Sequence, residues 1–167
     1  MAQKDLEFSC LKESYGGKLS PKDLSLFYYD ICFDKEDGFS LLYEWSDAVQ
    51  SFLDINKITI EDRDIKTLPK TFDNNCIFFE MCSNDKENKA VAFFRHLRNA
   101  FSHYNIGDDG DFFLMKDFYF EKSKPTDQTM IGKISKKLFY ELMNIFFKQK
   151  EKLHDNFDKE YYNPNIY

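Results

Sequence analysis

Arg98, Asn99 and His103 fall in a single run, residues 90–104, AVAFFRHLRNAFSHY, which also holds Arg95 and His96. That run contains two of the three arginines and two of the three histidines of the chain, whereas the remaining cations are almost all lysine. A guanidinium is a planar fork that holds a phosphate through two parallel hydrogen bonds; an ammonium is a rotating point charge. Arginine in a lysine-dominated chain therefore points to planar recognition of an oxyanion. Histidine has the unperturbed pKa that lets a side chain give and take protons near neutrality. Arg98 and His103 are thus the two parts of phosphate chemistry, one to hold non-bridging oxygens and one to move a proton.

The element that must position them is a helix. Asn84, three residues ahead of Glu87, is a candidate N-cap for a helix running to about Ser102. On a helical wheel Ala90, Phe93, Phe94, Leu97 and Phe101 cluster within about 100° and face a core. Arg98 lies at the edge of that stripe, and Arg95, His96, Asn99 and Ser102 occupy the outer surface. A helix continued through His103 would set its side chain roughly 140° away from Arg98. Either the helix ends just before His103 and swings it back, or a second copy of the chain completes the site.

The rest of the chain supplies a frame. Residues 1–19 carry weak periodicity and are left as an arm. Ser20, Pro21 and Asp23 read as an N-cap, a first helical proline and a capping-box acid, with Leu24, Phe27, Tyr28, Ile31 and Cys32 as the buried stripe. That helix stops near Asp37 and Gly38, where DKEDG lacks the alternating acids of a calcium loop. Leu41, Leu42, Trp45, Ala48, Val49 and Phe52 predict a second helix of roughly four turns with Trp45 in the core. Residues 57–70 read as a long connection containing Pro69, and CIFFEMC as a helical turn or short helix. After Tyr104, NIGDDGDFF forms a turn whose acids Asp108, Asp109 and Asp111 serve turn chemistry, FFLMKDFYF a strand, the segment holding Pro125 a polar loop, and TMIGKI a third strand. Ser135 caps a last helix with Leu138, Phe139, Leu142, Ile145, Phe146 and Leu153 on one face; residues 154–167 dock or fray as a tail. The expected fold is mainly α: a single domain over 1–167, a bundle of about four to five helices with a small antiparallel β-hairpin or meander between the motif helix and the last.

Composition bounds the function. Apolar residues make up 43% and aromatic residues 18%, with nineteen Phe and ten Tyr, enough for a packed core. No apolar run exceeds the five residues of AVAFF, and the start MAQKDLEF has no signal-peptide core, so a cytosolic protein off the membrane is expected. Cys10, Cys32, Cys76 and Cys82 lack metal-ligand spacing and read as buried reduced thiols. A net charge of −6 argues against coating nucleic acid by electrostatics alone. The charge is uneven: residues 1–85 are net −8 and residues 123–152 net +4. A polyanion would approach the C-terminal half, unless Lys133, Lys136, Lys137, Lys148, Lys150 and Lys152 are only a solvated helix face.

RNAFSH resembles the signature of the HEPN superfamily: arginine, then a polar residue, here Asn99, then histidine, here His103 after four intervening residues. The helical context extends that resemblance to small prokaryotic HEPN nucleases over residues 20–153. The resemblance implies a metal-independent endoribonuclease, needing no cofactor, of the kind found in toxin–antitoxin, abortive-infection or other antiviral systems. Its catalytic residues would be Arg98 and His103 with Asn99 orienting the arginine or phosphate, and its products would carry 2′,3′-cyclic phosphate and 5′-hydroxyl ends. Arg95, His96, Ser102 and Tyr104 are candidate RNA contacts around them. The resemblance also implies a homodimer with a composite active site and an antitoxin or other regulatory partner. Some HEPN toxins place a modified tyrosine two residues after the histidine; Asn105 stands there, so that route is not expected. Two other readings compete: a non-catalytic HEPN module that binds RNA or nucleotide or dimerises, and a scaffold in which Arg98 and His103 meet the negative end of the helix dipole.

Overall fold

The computed structural model describes residues 19–32, 43–68, 73–81, 88–122 and 124–161, with side chains to residue 149. The helix predicted at Ser20 begins there. The Ser20 hydroxyl accepts from the Asp23 N–H at 3.1 Å, and α1, Pro21–Ser25, runs directly into a π-helical segment, Leu26–Cys32. The wider π turn shifts the phase of the buried face. Leu26, Phe27 and Ile31 are buried, while Tyr28, placed in the stripe by a regular wheel, is exposed. DKEDG, Leu41 and Leu42 lie outside the described residues. Helix α2 is Asp47–Asn56, capped by Ser46 and ended by Lys57 in the left-handed region. Residues 43–46 ahead of it are not helical. Trp45 nevertheless packs in the core as expected, edge-on to Phe93 and Phe146.

The expectation of a mainly helical bundle is overturned by a five-stranded mixed sheet in the order β1-β2-β5-β4-β3. Strand β1, Thr59–Asp62, and a 3₁₀ turn, Ile65–Thr67, occupy the stretch expected to be a bare connection. Strand β2 is Cys76–Phe79, the segment expected to be helical. Strands β3, Ile106–Asp109, and β4, Phe112–Glu121, make the predicted hairpin, turning at Gly110, whose φ of 65° suits glycine. Strand β5, Lys124–Ser135, includes Pro125, which pairs with Phe120 rather than sitting in a loop. β1 and β2 are parallel; β2–β5, β5–β4 and β4–β3 are antiparallel. Beside Ile77 of β2 sits Gly132 of β5, where a Cβ would fall 2.7 Å from Ile77 Cγ1, so only glycine permits the two strands this approach.

Both faces of the central strands are covered, which is why β2 carries no polar alternation. Ile77, Phe79, Phe113, Met115, Met130 and Ile134 join the main core with the helices. Cys76, Phe78, Leu114 and Ile131 pack on the opposite face with Ile65 and Leu68. Helix α3, Lys89–Ser102, contacts β4 and the π-helical segment, while α4, Lys136–Tyr161, contacts β5 and α2. On α4 Phe139, Leu142 and Phe146 are buried and Leu138 and Ile145 partly so, as the periodicity requires; the Leu153 side chain lies outside the described ones. Cys32 and Cys76 are free thiols, half-buried and buried respectively. Among the described residues no helix is long and apolar enough to cross a membrane.

The capping-box role expected of Asp23 is not the one it plays. Its carboxylate turns inward, 4% exposed, accepting from Tyr140 Oη at 2.7 Å and Lys136 Nζ at 3.2 Å. Lys136 also pairs with Asp108, so α1, β3 and α4 meet in one charged knot. Burial pushes the Asp23 carboxyl up, but hydrogen bonds from Tyr140, Ser20 and Lys136 outweigh it and leave the pKa lowered. Burial and the Asp23 carboxylate together raise that of Tyr140. Of the lysines open to a polyanion or to a solvated helix face, Lys136 and Lys133 are instead paired, Lys133 with Asp109 at 3.1 Å.

Candidate active site

The motif helix α3 starts at Asn88, whose side chain accepts from the Val91 N–H at 2.9 Å; Asn84 lies outside the described residues. Ala90, Phe93, Phe94, Leu97 and Phe101 are buried as the wheel demands. So are Ala92, His96 and Ala100, because β4 covers a second face that a wheel cannot foresee.

Its C-terminus is built to release His103. Tyr104 adopts φ 61°, the Tyr104 N–H donates to the Phe101 carbonyl at 3.0 Å, and the Asn105 N–H to the Ala100 carbonyl at 2.7 Å. These two bonds form a Schellman stop with tyrosine where glycine is usual, at a cost of about 1 kcal/mol. His103 is the C-cap, φ −99° and ψ 16°, off the helical path. Its ring lies on Phe120 of β4, centroids 4.2 Å apart and planes 26° from parallel. Of the two geometries open to the motif, the helix therefore does end just before His103.

A polar chain joins the motif to the sheet. Arg98 Nη2 donates to Asn99 Oδ1 at 3.2 Å, and Asn99 Nδ2 donates to Asp117 Oδ2 at 3.4 Å. The same carboxylate oxygen meets His96 Nδ1 at 2.8 Å, and His96 Nε2 meets the Glu80 carbonyl at 2.7 Å. His96 Nε2 also lies 3.3 Å from Arg95 Nη2. Arg95 Nη2 donates to the Glu80 carbonyl as well, at 3.4 Å. His96 is 1% exposed, which corrects its placement on the outer surface: it lies beneath the cleft as part of its lining. Burial lowers the pKa of the half-buried Arg98, with Arg95 adding to the effect and Cys32 and Asp117 opposing it. Burial pushes the neighbouring Cys32 thiol up to about 11 in spite of that arginine.

Beside the chain opens a cleft of about 370 Å³. Arg95, His96, Asn99 and His103 line it from α3, and residues 117–120 line it from β4. Arg98 is not among the lining residues and is tied to the cleft through Asn99. Ser102 and Tyr104 are exposed and outside the lining. Asp117 and Phe120 both reach α3, which residues three apart in a regular strand do not do. The β4–β5 ladder is irregular here, shifting register after Asp117 and again between Phe118 and Phe120, with the extra residues in β5. Such bulges sharpen strand twist and re-aim side chains. Asp117 and Phe120 were not singled out from the sequence; the available signal was an acid within an otherwise aromatic strand.

An arginine, asparagine and histidine at the end of a helix is the placement that the HEPN resemblance anticipated for the motif; the sheet against which that helix packs is not. Residues 24–160 match the family model described as HEPN pEK499 p136, and the chain belongs to that family. No curated protein and no solved structure shows a significant match.

Proposed function

We propose that this protein is an endoribonuclease acting through Arg98 and His103. The observation that carries the reading is the helix stop at Tyr104, which frees the His103 ring at the edge of a cleft while Asn99 holds Arg98 one turn away. RNA carries its own nucleophile. A neutral His103 would take the proton of a 2′-hydroxyl, whose oxygen attacks the adjacent phosphorus; a protonated His103 would give one to the departing 5′-oxygen. Arg98 would hold the non-bridging oxygens as charge builds on the phosphorane. Neither step is assigned to a metal.

One motif histidine per chain serves two opposite proton transfers poorly, and Arg98 is not among the residues that line the cleft beside its own His103. A homodimer that sets two motifs face to face would supply both missing groups. Such an enzyme fits a toxin or antiviral effector held in check by a regulatory partner.

The test is cleavage of a cellular RNA pool by wild type and His103→Ala with a chelator present. Wild type should yield cyclic-phosphate ends, and the variant should be slower by about 10³-fold with an unchanged melting curve. RNA bound equally by both but cut by neither would shift the assignment to a binding module. An active, strictly monomeric protein in sedimentation equilibrium would remove the composite site.

A further inference from the structure

Arg95, Asn99 and His103 recur every four residues, and all three line the cleft from α3. At 100° per residue Arg95 stands about 40° around the helix from Asn99, while Arg98 lies about 60° beyond Arg95 on the other side. The arginine that shares a face with His103 is therefore Arg95, not the arginine of the motif. The aromatic wall from β4, Phe118 to Phe120, brings no charge. Two carboxylates do reach the cleft, but both are engaged. Glu80 Oε1 accepts from the Ile65 N–H at 2.9 Å, and Asp117 takes His96 and Asn99 on one oxygen and the Phe118 N–H on the other. Among the described lining residues Arg95 is the one arginine or lysine.

Its guanidinium is anchored. Arg95 is half-buried, and its Nη2 meets the Glu80 carbonyl at 3.4 Å and His96 Nε2 at 3.3 Å. His96 is in turn held by Asp117, the same carboxylate that takes Asn99, so one network seats both side chains that face the cleft. Burial first, and the charge of Arg95 with it, lower the pKa of Arg98. Two like charges one helical turn apart repel, and an anion between them removes that cost.

We propose that Arg95 is a further catalytic residue, holding a non-bridging oxygen of the scissile phosphate in the cleft that its own chain's His103 lines. The inference rests on the ribonuclease reading and adds a group outside the motif. A phosphate lying over Asn99 has Arg95 one turn before it and His103 one turn after it, each about 6 Å along the helix. As the 2′-oxygen bonds to phosphorus its proton passes to a base, the bond to the 5′-oxygen breaks, and that oxygen takes up a proton. Negative charge collects meanwhile on the two non-bridging oxygens. Arg95 meets one of them from within the chain, leaving the other to the Arg98 that a facing copy brings.

The experiment uses the full chain and a short RNA carrying one phosphorothioate at the linkage that wild type cuts, as its two separate diastereomers. Sulfur accepts hydrogen bonds poorly, so one diastereomer should be cut about tenfold more slowly than all-oxygen RNA by wild type. Arg95→Ala should cut all-oxygen RNA about 10²-fold more slowly than wild type does, and that diastereomer no more slowly than all-oxygen RNA. Arg95→Lys keeps the charge without the fork and should fall between the two in both respects, which carries the test should alanine unfold the chain. A variant as fast as wild type, or slow with both sulfur effects intact, overturns the assignment; the second result makes Arg95 a structural residue. Mixing Arg95→Ala with His103→Ala should restore no cleavage, since each cleft then lacks one group. Recovered cleavage would put the two residues in different clefts and overturn the arrangement within one chain. If wild type cuts RNA while Arg95→Ala matches it, the ribonuclease assignment stands without Arg95. A wild type that leaves RNA intact overturns both.

Discussion

Two buried carboxylates, Asp23 and Asp117, use the same device to opposite ends. Each is almost fully removed from water, and each is met by a nitrogen-bearing side chain from another element, Lys136 for Asp23 and His96 for Asp117. Asp23 takes the Tyr140 hydroxyl on its other oxygen, and Lys136 passes on to Asp108, so among the described residues the network closes on itself. Asp117 takes the Phe118 N–H on Oδ1, while on Oδ2 it receives both His96 and Asn99, and Asn99 leads on to Arg98. One network ends inside the fold and locks three elements together. The other ends at the motif and borders the cleft, so the same desolvated hydrogen bonds position the Arg98 guanidinium through Asn99.

That contrast can be broken from either side. Asp23→Ala strands Tyr140 and halves the pairing of Lys136, and should lower unfolding free energy by about 3 kcal/mol in urea while RNA cleavage by the folded fraction is unchanged. Because the folded pKa of Asp23 lies below its unfolded value of about 3.9, its contribution is present above that pH and disappears as pH falls through the lowered value. The urea midpoints of wild type and variant should therefore converge in acid. Asp117→Asn keeps the shape but weakens the pull on His96 and Asn99. It should cut kcat/KM about tenfold, close to 1.4 kcal/mol, with a smaller change in the urea midpoint. The reverse pattern, stability lost and rate kept, would make Asp117 another Asp23. The smallest effect sharpens the local picture: Ser20→Ala removes a cap and one donor to Asp23, and should cost about 1 kcal/mol in the same titration.

The helices were legible where a single face is buried. α4 shows its stripe because it packs through one dominant side, α3 shows the more apolar of its two buried faces, and Ser20 announces α1 by local chemistry alone. The failures share a cause, namely burial imposed by an element distant in sequence. Cys76–Phe79 is covered on both sides, so its apolar run has no period and reads equally as helix or strand. His96 looks exposed on a wheel because the wheel does not contain Asp117, twenty-one residues later. β1 is four residues long with two exposed acids, Glu61 and Asp62, a polar connection in every local respect until β2 pairs with it. The motif itself was legible, as were Asn99 and His103 as lining residues. The aromatic wall was visible only as a strand, since its meeting with His103 depends on a register shift set by β5.

The left-handed Tyr104 makes the motif behave as a ruler. With the helix stopped at a fixed point, the count of residues between Arg98 and His103 sets how far around the axis the guanidinium stands from the cleft mouth. An insertion ahead of Asn88 would leave both groups in phase. One extra residue between Arg98 and His103 would rotate them apart by about 100°, carrying Asn99 away from Asp117 or His103 away from Phe120. Insertions are thus uncounted ahead of the helix and counted residue by residue between Arg98 and His103.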